Sequence, residues 1–354
     1  MSKAAAPMSD SFRRRGFSFA DRAGATVPIQ GPRGRVAEIV AAASGPVFAD
    51  RAARGVVVDM RGTDRQKFLH GQCTQEVKAK AVGDGGFGWM LDARGLNLGP
   101  VRFAVLDDRL QLEFEPEDLA AKLRRLEMFV ITSDVSLVRP APPPAVLQPG
   151  GRGAAAALRR ALPGATPPAV EDACTVFETA SARFVLVGNH EAGDDGVDIR
   201  VFAEDAAAGE AIESLILALE NAGAVPIGDD ALEALRIRRG RPRYGVDISQ
   251  DHLPAETSTL ERSVSFTKGC YAGQEVVAKQ QYLGKPRKNL VRIRGSAGAA
   301  VGAVLSGADG IEAGRLGSTA AFDDGVYGLA TVKPASAVPG VALTDETGGR
   351  WQVL

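Results

Sequence analysis

Cysteine is nearly absent from this chain, with three in 354 residues, at positions 73, 174 and 270. An odd number at such wide spacing builds no disulfide framework and fits a reducing compartment. There is no C-x-x-C. A stable iron–sulfur cluster usually takes four cysteine ligands, so no permanently bound metal is expected. Histidine is equally scarce, and residues 70, 190 and 252 suggest neither a catalytic triad nor a zinc site. No apolar run approaches the roughly 18 residues that span a bilayer, so neither a transmembrane helix nor a membrane partner is expected. A formal net charge of −1 excludes a generally basic nucleic-acid binder. Neither G-x-x-x-x-G-K-[ST] nor H-E-x-x-H occurs. Gly83-Asp84-Gly85-Gly86-Phe87-Gly88 matches G-x-G-x-x-G, but strand-like Trp89-Met90-Leu91 follows where a dinucleotide site needs a helix. A glycine-rich hairpin is the better reading. Ser11 to Phe17, with Arg13-Arg14-Arg15, superficially resembles a twin-arginine export signal, yet Asp21 and Arg22 interrupt the apolar core that should follow. Residues 1–15 are therefore expected to form a mobile basic tail, and the protein to be cytoplasmic.

The composition that remains is that of a soluble globular protein, 45% hydrophobic and 24% charged, long enough for two or three domains. Strands are expected at 55–60, 87–91, 101–106 and 110–114. A helix opens after Pro116, with Leu119, Leu123 and Leu126 on one face. Eight prolines between 140 and 168 read as a linker or a long surface excursion. A second α/β region follows. Its helix at about 208–222 carries Ile212, Leu215, Ile216 and Leu219 at i, i+3, i+4 and i+7 and stops at Gly223. A helix near 229–239 ends at Gly240, and from Arg287 onward short β segments split by glycine read as a small β domain or barrel. The expected division is 1–50 (tail and start of the first domain), 51–140 (α+β), 141–170 (linker), 171–284 (α+β) and 285–354 (small β domain).

Three stretches carry chemistry. In Lys268-Gly269-Cys270-Tyr271-Ala272-Gly273-Gln274-Glu275 a glycine turn leads into a helix, which puts Cys270 near a positive helix end and beside Lys268. Both would favour a thiolate; the plain alternative is a small buried hydrophobe. Arg236-Ile237-Arg238-Arg239-Gly240-Arg241-Pro242-Arg243 holds five arginines and no acid, and Lys279, Lys285, Arg287, Lys288, Arg292 and Arg294 form a second basic stretch. These suit phosphates or carboxylates, or are simply a solvated face. Glu256, on the rigid Leu253-Pro254-Ala255-Glu256 loop, can accept paired N–H bonds from a planar heterocycle such as a pterin.

Together these stretches resemble the YgfZ-type folate-binding proteins, relatives of the glycine-cleavage aminomethyltransferases. Residues 268–275 match the family's K-G-C-[FY]-x-G-Q-E. Supporting matches are Gly62 to Thr74 with G-x-D-x-x-x-F-L-x-G-Q-x-T, and Leu91 to Gly95 with a strand-turn segment. Arg236 to Glu256 match R…G-x-P-x-Y-G-x-D…P-x-E, and Gly314 to Thr319 resemble G-x-x-x-G-x-[TS] with one residue fewer between the glycines. The resemblance runs from about residue 55 to the end, excluding the proline-rich stretch. It implies an α+β, three-domain aminomethyltransferase-like fold, with a C-terminal β-barrel-like domain, around a central hole for tetrahydrofolate or a one-carbon derivative. It also implies a role in assembling or repairing iron–sulfur enzymes, including tRNA-modifying ones. Carried over residue by residue, Cys270, with Lys268, is the working group, able at most to ligate a metal transiently. Glu256 is the pterin carboxylate and Arg287 a contact to the folate's glutamate end, while Tyr244, Tyr271 and Gln274 line the pocket. The aminomethyltransferases place a catalytic Asp-Asp pair where this chain has Leu98 and Gly99. A folate-dependent aminomethyl- or methyltransferase using another residue is the alternative, and a tRNA-binding module using the basic stretches a third; whether any reaction is catalysed stays open.

Overall fold

The computed structural model describes all residues except 1–4, 204, 285, 297 and 298. It divides into two compact units whose segments alternate along the chain. Unit 1 comprises the chain up to Leu69, Val77–Phe87 and Val101–Leu232; unit 2 comprises His70–Glu76, Gly88–Pro100 and Glu233–Leu354.

Unit 1 holds a six-stranded sheet in the order Cys174–Glu178, Arg183–Gly188, Val197–Phe202, Ala145–Gly151, Pro46–Asp50, Val225–Pro226. All neighbours are antiparallel except the last pair. Helix Asp205–Asn221 lies on it by the apolar stripe read from the sequence: Ile212, Leu215, Ile216 and Leu219 are all buried with Phe48, Leu147 and Ile199. A five-stranded sheet follows the order Gly85–Leu91, Asn97–Val105, Leu110–Phe114, Val56–Arg61, Ser136–Val138. Ala104 and Leu106 from its side pack with Val185 and Val187 of the first sheet. The strand that opens at Gly85 runs on to Leu91 with no helix after it, so the glycine-rich segment holds no dinucleotide fold.

Two expectations need correction. The basic tail is a helix, Ala5–Arg14. Met8 and Phe12, one turn apart, are buried, and Phe12 packs edge-on to Phe17 and Phe48. Arg15 is ion-paired to Glu213 at 3.2 Å and Glu220 at 2.7 Å. The proline-rich linker likewise contributes strand Ala145–Gly151 and helix Ala154–Ala161, with Ala157 and Leu158 buried. The strand tolerates Pro149 because its pairing with Val197–Phe202 covers only Ala145 to Leu147; past Leu147 that flank asks no N–H of it.

Unit 2 contains a closed six-stranded barrel, as the glycine-split β segments suggested. Its order is Asn289–Gly295, Gly325–Val332, Glu312–Phe322, Val304–Ser306, Ala342–Asp345, Arg350–Val353. Ile293, Leu305, Leu316, Ala330, Leu343 and Trp351 fill it. The Trp351 indole N–H is satisfied by Asp345 Oδ2 at 2.8 Å.

Candidate functional site

Of the stretches matched to known motifs, all but Gly62–Leu69 lie within unit 2. Arg236 is buried, with Nη1 on Asp247 Oδ2 at 2.8 Å and Nη2 on Ser318 Oγ at 2.7 Å. Ser318 N donates to Asp247 Oδ1 at 2.8 Å. A Cβ on Gly317 would stand 2.6 Å from that same oxygen. Two separated motif stretches thus meet in one buried hub, and Arg236 is not part of an exposed basic face.

The 268–275 loop is built on the 70–76 segment. Lys268 is buried, and its ammonium donates to the carbonyls of His70, Cys73 (2.8 Å) and Gln75 (2.8 Å). Burial holds its pKa below the usual lysine range. The Tyr271 ring lies beneath the ammonium, 4.9 Å from Nζ to centroid, and burial pushes its hydroxyl up to about 12. Gly273 has φ +80°, and a Cβ on it would meet Asp92 O at 2.7 Å and Leu91 Cβ at 2.9 Å. Helix Gln274–Leu283 starts directly after it. That helix lies so close to the Asp92–Gly95 turn that a Cβ on Gly95 would strike Val276 at 2.7 Å. From this fixed loop Cys270 alone among the three cysteines is exposed. Cys73 and Cys174 are buried, and burial raises both thiols, Cys174 to about 11.

Beside the helix lies a cleft of about 770 Å³. Its walls are Arg94 and Leu96 of the turn, Asp251, Leu253 and Glu256 of the next loop, Val276, Lys279 and Gln280 of the helix, and Gly284, Arg287 and Lys288 after it. Glu256 is buried; Oε2 accepts from Leu253 N at 3.0 Å and Oε1 from Arg287 N at 3.2 Å. Both donors are the protein's own backbone.

Of the predicted site residues, Glu256 and Arg287 therefore share the cleft wall, while Lys268 and Tyr271 meet beneath the cysteine loop. Gln274 opens the helix, half-buried. Tyr244 is buried and donates its hydroxyl to Asn97 O at 3.1 Å. Lys285 lies outside the described residues. At the positions of the aminomethyltransferase Asp pair, Gly99 takes φ +119°, so the backbone itself favours glycine there.

Sequence reasoning missed a buried ionic cluster in unit 1. Arg51 and Arg200 both bond Glu113, and Arg200 also bonds Gln111 Oε1 at 3.0 Å. Arg102 reaches Asp172 at 3.0 Å and Asp198 at 3.1 Å. Burial works to raise the Glu113 carboxyl, and the guanidiniums of Arg51, Arg102 and Arg200 overcome it and hold it well below the usual range. The available signal was charge at alternate positions in apolar strands, as in Val197-Asp198-Ile199-Arg200-Val201.

The fold can be placed among known ones. The glycine cleavage system aminomethyltransferase T of Bartonella henselae superposes with a TM-score of 0.85 over 98% of this chain and 95% of its own, at 21% identity. The architecture is that of the aminomethyltransferases. In sequence, the tRNA-modifying protein YgfZ of Yersinia enterocolitica is 28% identical over 248 residues, 68% of this chain and 69% of that protein. The protein of the same name from Yersinia pestis is 27% identical over 249 residues, with the same coverage of both chains. The chain thus has the aminomethyltransferase fold and is similar in sequence to the YgfZ proteins. No family model matches it. Among the described residues no helix is long and apolar enough to cross a membrane, and no group of three or more His, Cys, Asp or Glu side chains is set to hold a metal ion.

Proposed function

We propose that this protein binds tetrahydrofolate, or a one-carbon derivative of it, and serves the assembly or repair of iron–sulfur enzymes, tRNA-modifying ones among them, through Cys270 in the cytoplasm. The observation that carries the reading is the contrast among the cysteines: two are buried with raised thiols, and the motif cysteine is exposed on a loop pinned by Lys268. The name of the Yersinia relatives supports the link to tRNA modification. With three cysteines and no four-ligand set, the iron–sulfur cluster is cargo or substrate rather than a resident group.

The cleft suits a folate in size, since small-molecule sites run from about 300 to 1,000 Å³. Arg94, Lys279, Arg287 and Lys288 suit the carboxylates of the glutamate end. Each Glu256 oxygen accepts one backbone N–H and keeps a second lone pair for a pterin edge. Bound folate would supply a one-carbon carrier, and these side chains would orient it. The transferase alternative has no carboxylate at Leu98 or Gly99 to support it; turnover of a methylamine donor with tetrahydrofolate would reinstate it.

Calorimetric titration with tetrahydrofolate should give saturable heat. Arg287→Ala should weaken binding about tenfold, a loss near 1.4 kcal/mol, and Glu256→Ala should weaken it too. No heat from the unmodified protein defeats the folate assignment. Separately, Cys270→Ala in a strain lacking the native protein should lower the activity of iron–sulfur tRNA-modifying enzymes. Undiminished activity there removes the role given to Cys270.

A further inference from the structure

The barrel carries arginines on its outer side that the motifs do not use. In strand Asn289–Gly295, Val291 and Ile293 pack into the barrel core. Arg292 and Arg294, at the alternate positions, therefore turn outward, and both are exposed. In register, Arg294 stands between Tyr327 of one neighbouring strand and Gln352 of the other. Arg350, exposed and two residues before Gln352, continues that face. Arg238, the last residue of helix Asp229–Arg238, reaches the same place from outside the barrel. Its guanidinium carbon lies 4.8 Å from the ring centroids of both Phe322 and Tyr327, and that of Arg294 lies 5.5 Å from Tyr327. The two rings meet edge to face at 5.3 Å. Arg236–Arg243 contains no aromatic residue, and the fold supplies these two from a distant hairpin.

Asp324, at the tip of that hairpin beside exposed Asp323, ties the cluster together. It accepts from the Tyr327 hydroxyl at 2.8 Å and from Arg238 Nη2 at 3.2 Å, and Arg294 Nη2 stands 3.8 Å away. A brace between helix and barrel needs no more than this. Arg292 and Arg350 exceed it: Arg292 Nη1 donates to the Arg238 carbonyl at 3.3 Å, and neither residue has an ion pair among the described residues. A guanidinium stacked on rings is ordered before any ligand arrives and keeps in-plane N–H groups for an anion. Phosphate takes such groups bidentately, and guanidinium and ring faces stack on an unpaired base. An acidic polypeptide would use the charge but not the stack. We propose that this face of the barrel is a contact surface for a phosphodiester strand, RNA or DNA, with Arg292, Arg294 and Arg350 neutralising phosphates and the Arg238–Phe322–Tyr327 stack receiving a base. This binding role is separate from the folate cleft, and either can fail without the other.

The test is fluorescence-anisotropy titration of the purified full chain, without folate, into labelled unfractionated transfer RNA and, as a second arm, a single-stranded DNA of similar length. The arm bound more tightly identifies the strand, and no binding to either at low salt overturns the proposal. Three neutralised phosphates give a salt slope near −2, so affinity should fall roughly twentyfold between about 50 and 200 mM salt. Arg292→Gln combined with Arg294→Gln should weaken binding about tenfold or more and flatten that slope by about 1.4. Arg33→Gln combined with Arg124→Gln removes the same charge from exposed positions of unit 1 and should change affinity by less than about twofold. An equal loss from that second pair overturns the site. Asp324→Asn takes a negative charge from the face yet keeps an acceptor for Tyr327 and Arg238, so it should tighten binding; unchanged or weaker binding would mean that the cluster is a brace alone. Displacement of the strand by poly-glutamate at matched charge would assign the face to an acidic protein and also overturn the proposal. Should the double variant lose its melting transition, the salt slope of the unmodified protein and the Asp324→Asn arm still decide.

Discussion

Chain neighbours need not be side-chain partners, and Lys268 is the clearest case. Two positions from Cys270, it reads from sequence as the cation that would favour a thiolate, yet its ammonium is committed to the carbonyls of His70, Cys73 and Gln75. A four-carbon stem can point anywhere, and spacing along a loop does not fix its direction. The lysine therefore acts on the cysteine through the backbone, by fixing the loop that presents it. Lys268→Met should leave three carbonyls, one buried and two part-buried, short of a donor, each costing about 1–3 kcal/mol. Urea denaturation should show a loss of roughly 3 kcal/mol or more. A loss below about 1 kcal/mol would mean the ammonium contributes little. Cys270 itself was legible at this scale because a glycine-flanked cysteine before a helix is a local pattern. The carbonyls of His70, Cys73 and Gln75 were not, since their relation to the loop spans nearly two hundred residues.

Elements show the same divide between local and distant information. The helix at 205–221 and most strands follow from periodicity, because a buried face imposes its period on the sequence. The strand at 145–151 was missed because proline and glycine usually mark loops, and only the short reach of its neighbour explains Pro149. Charge buried between sheets was missed as well. Glu113 there faces the guanidiniums of Arg51, Arg102 and Arg200 with only a few per cent of its side chain exposed. Such a group is stable only as a set: removing one partner strands charge in a low dielectric, at about 3–5 kcal/mol. Glu113→Gln should cost that much in chemical denaturation. If the single variant loses no more than about 1 kcal/mol, the cluster is not the joint between these sheets.

For the whole molecule, composition gave the domain count only loosely, because residues 70–76 and 88–100 join 233–354 in one compact unit by long-range contacts that no local pattern announces. Each unit also holds a buried group that titrates out of its usual range, and the two act in opposite directions. In unit 1, burial pushes the Asp50 carboxyl up to about 7, against the hydrogen bond from Ala52 N and with help from Asp229. The folded state then binds the proton more tightly than the unfolded state between about pH 4 and 7, so this stability is present in acid and fades as pH rises through that window. In unit 2, burial, with the nearby Lys288, pushes His252 down to about 4. Its Nδ1 accepts from Ser249 N at 3.1 Å and Nε2 meets Thr331 Oγ1 at 3.2 Å. Here the unfolded state binds the proton more tightly between about pH 4 and 6.5, so this stability is present at neutral pH and fades as pH falls. A tenfold difference in proton affinity between folded and unfolded chain is worth about 1.4 kcal/mol, so each group contributes on the order of a few kcal/mol. Their opposition should leave the unmodified protein with a shallow stability profile across this range, and single substitutions should tilt it. Relative to the unmodified protein, Asp50→Asn should gain stability as pH rises from about 4.5 to 7, whereas His252→Gln should lose it. Thermal melts of the three proteins at both pH values read this directly, and variants that keep the parent's slope would show that neither group is linked to folding.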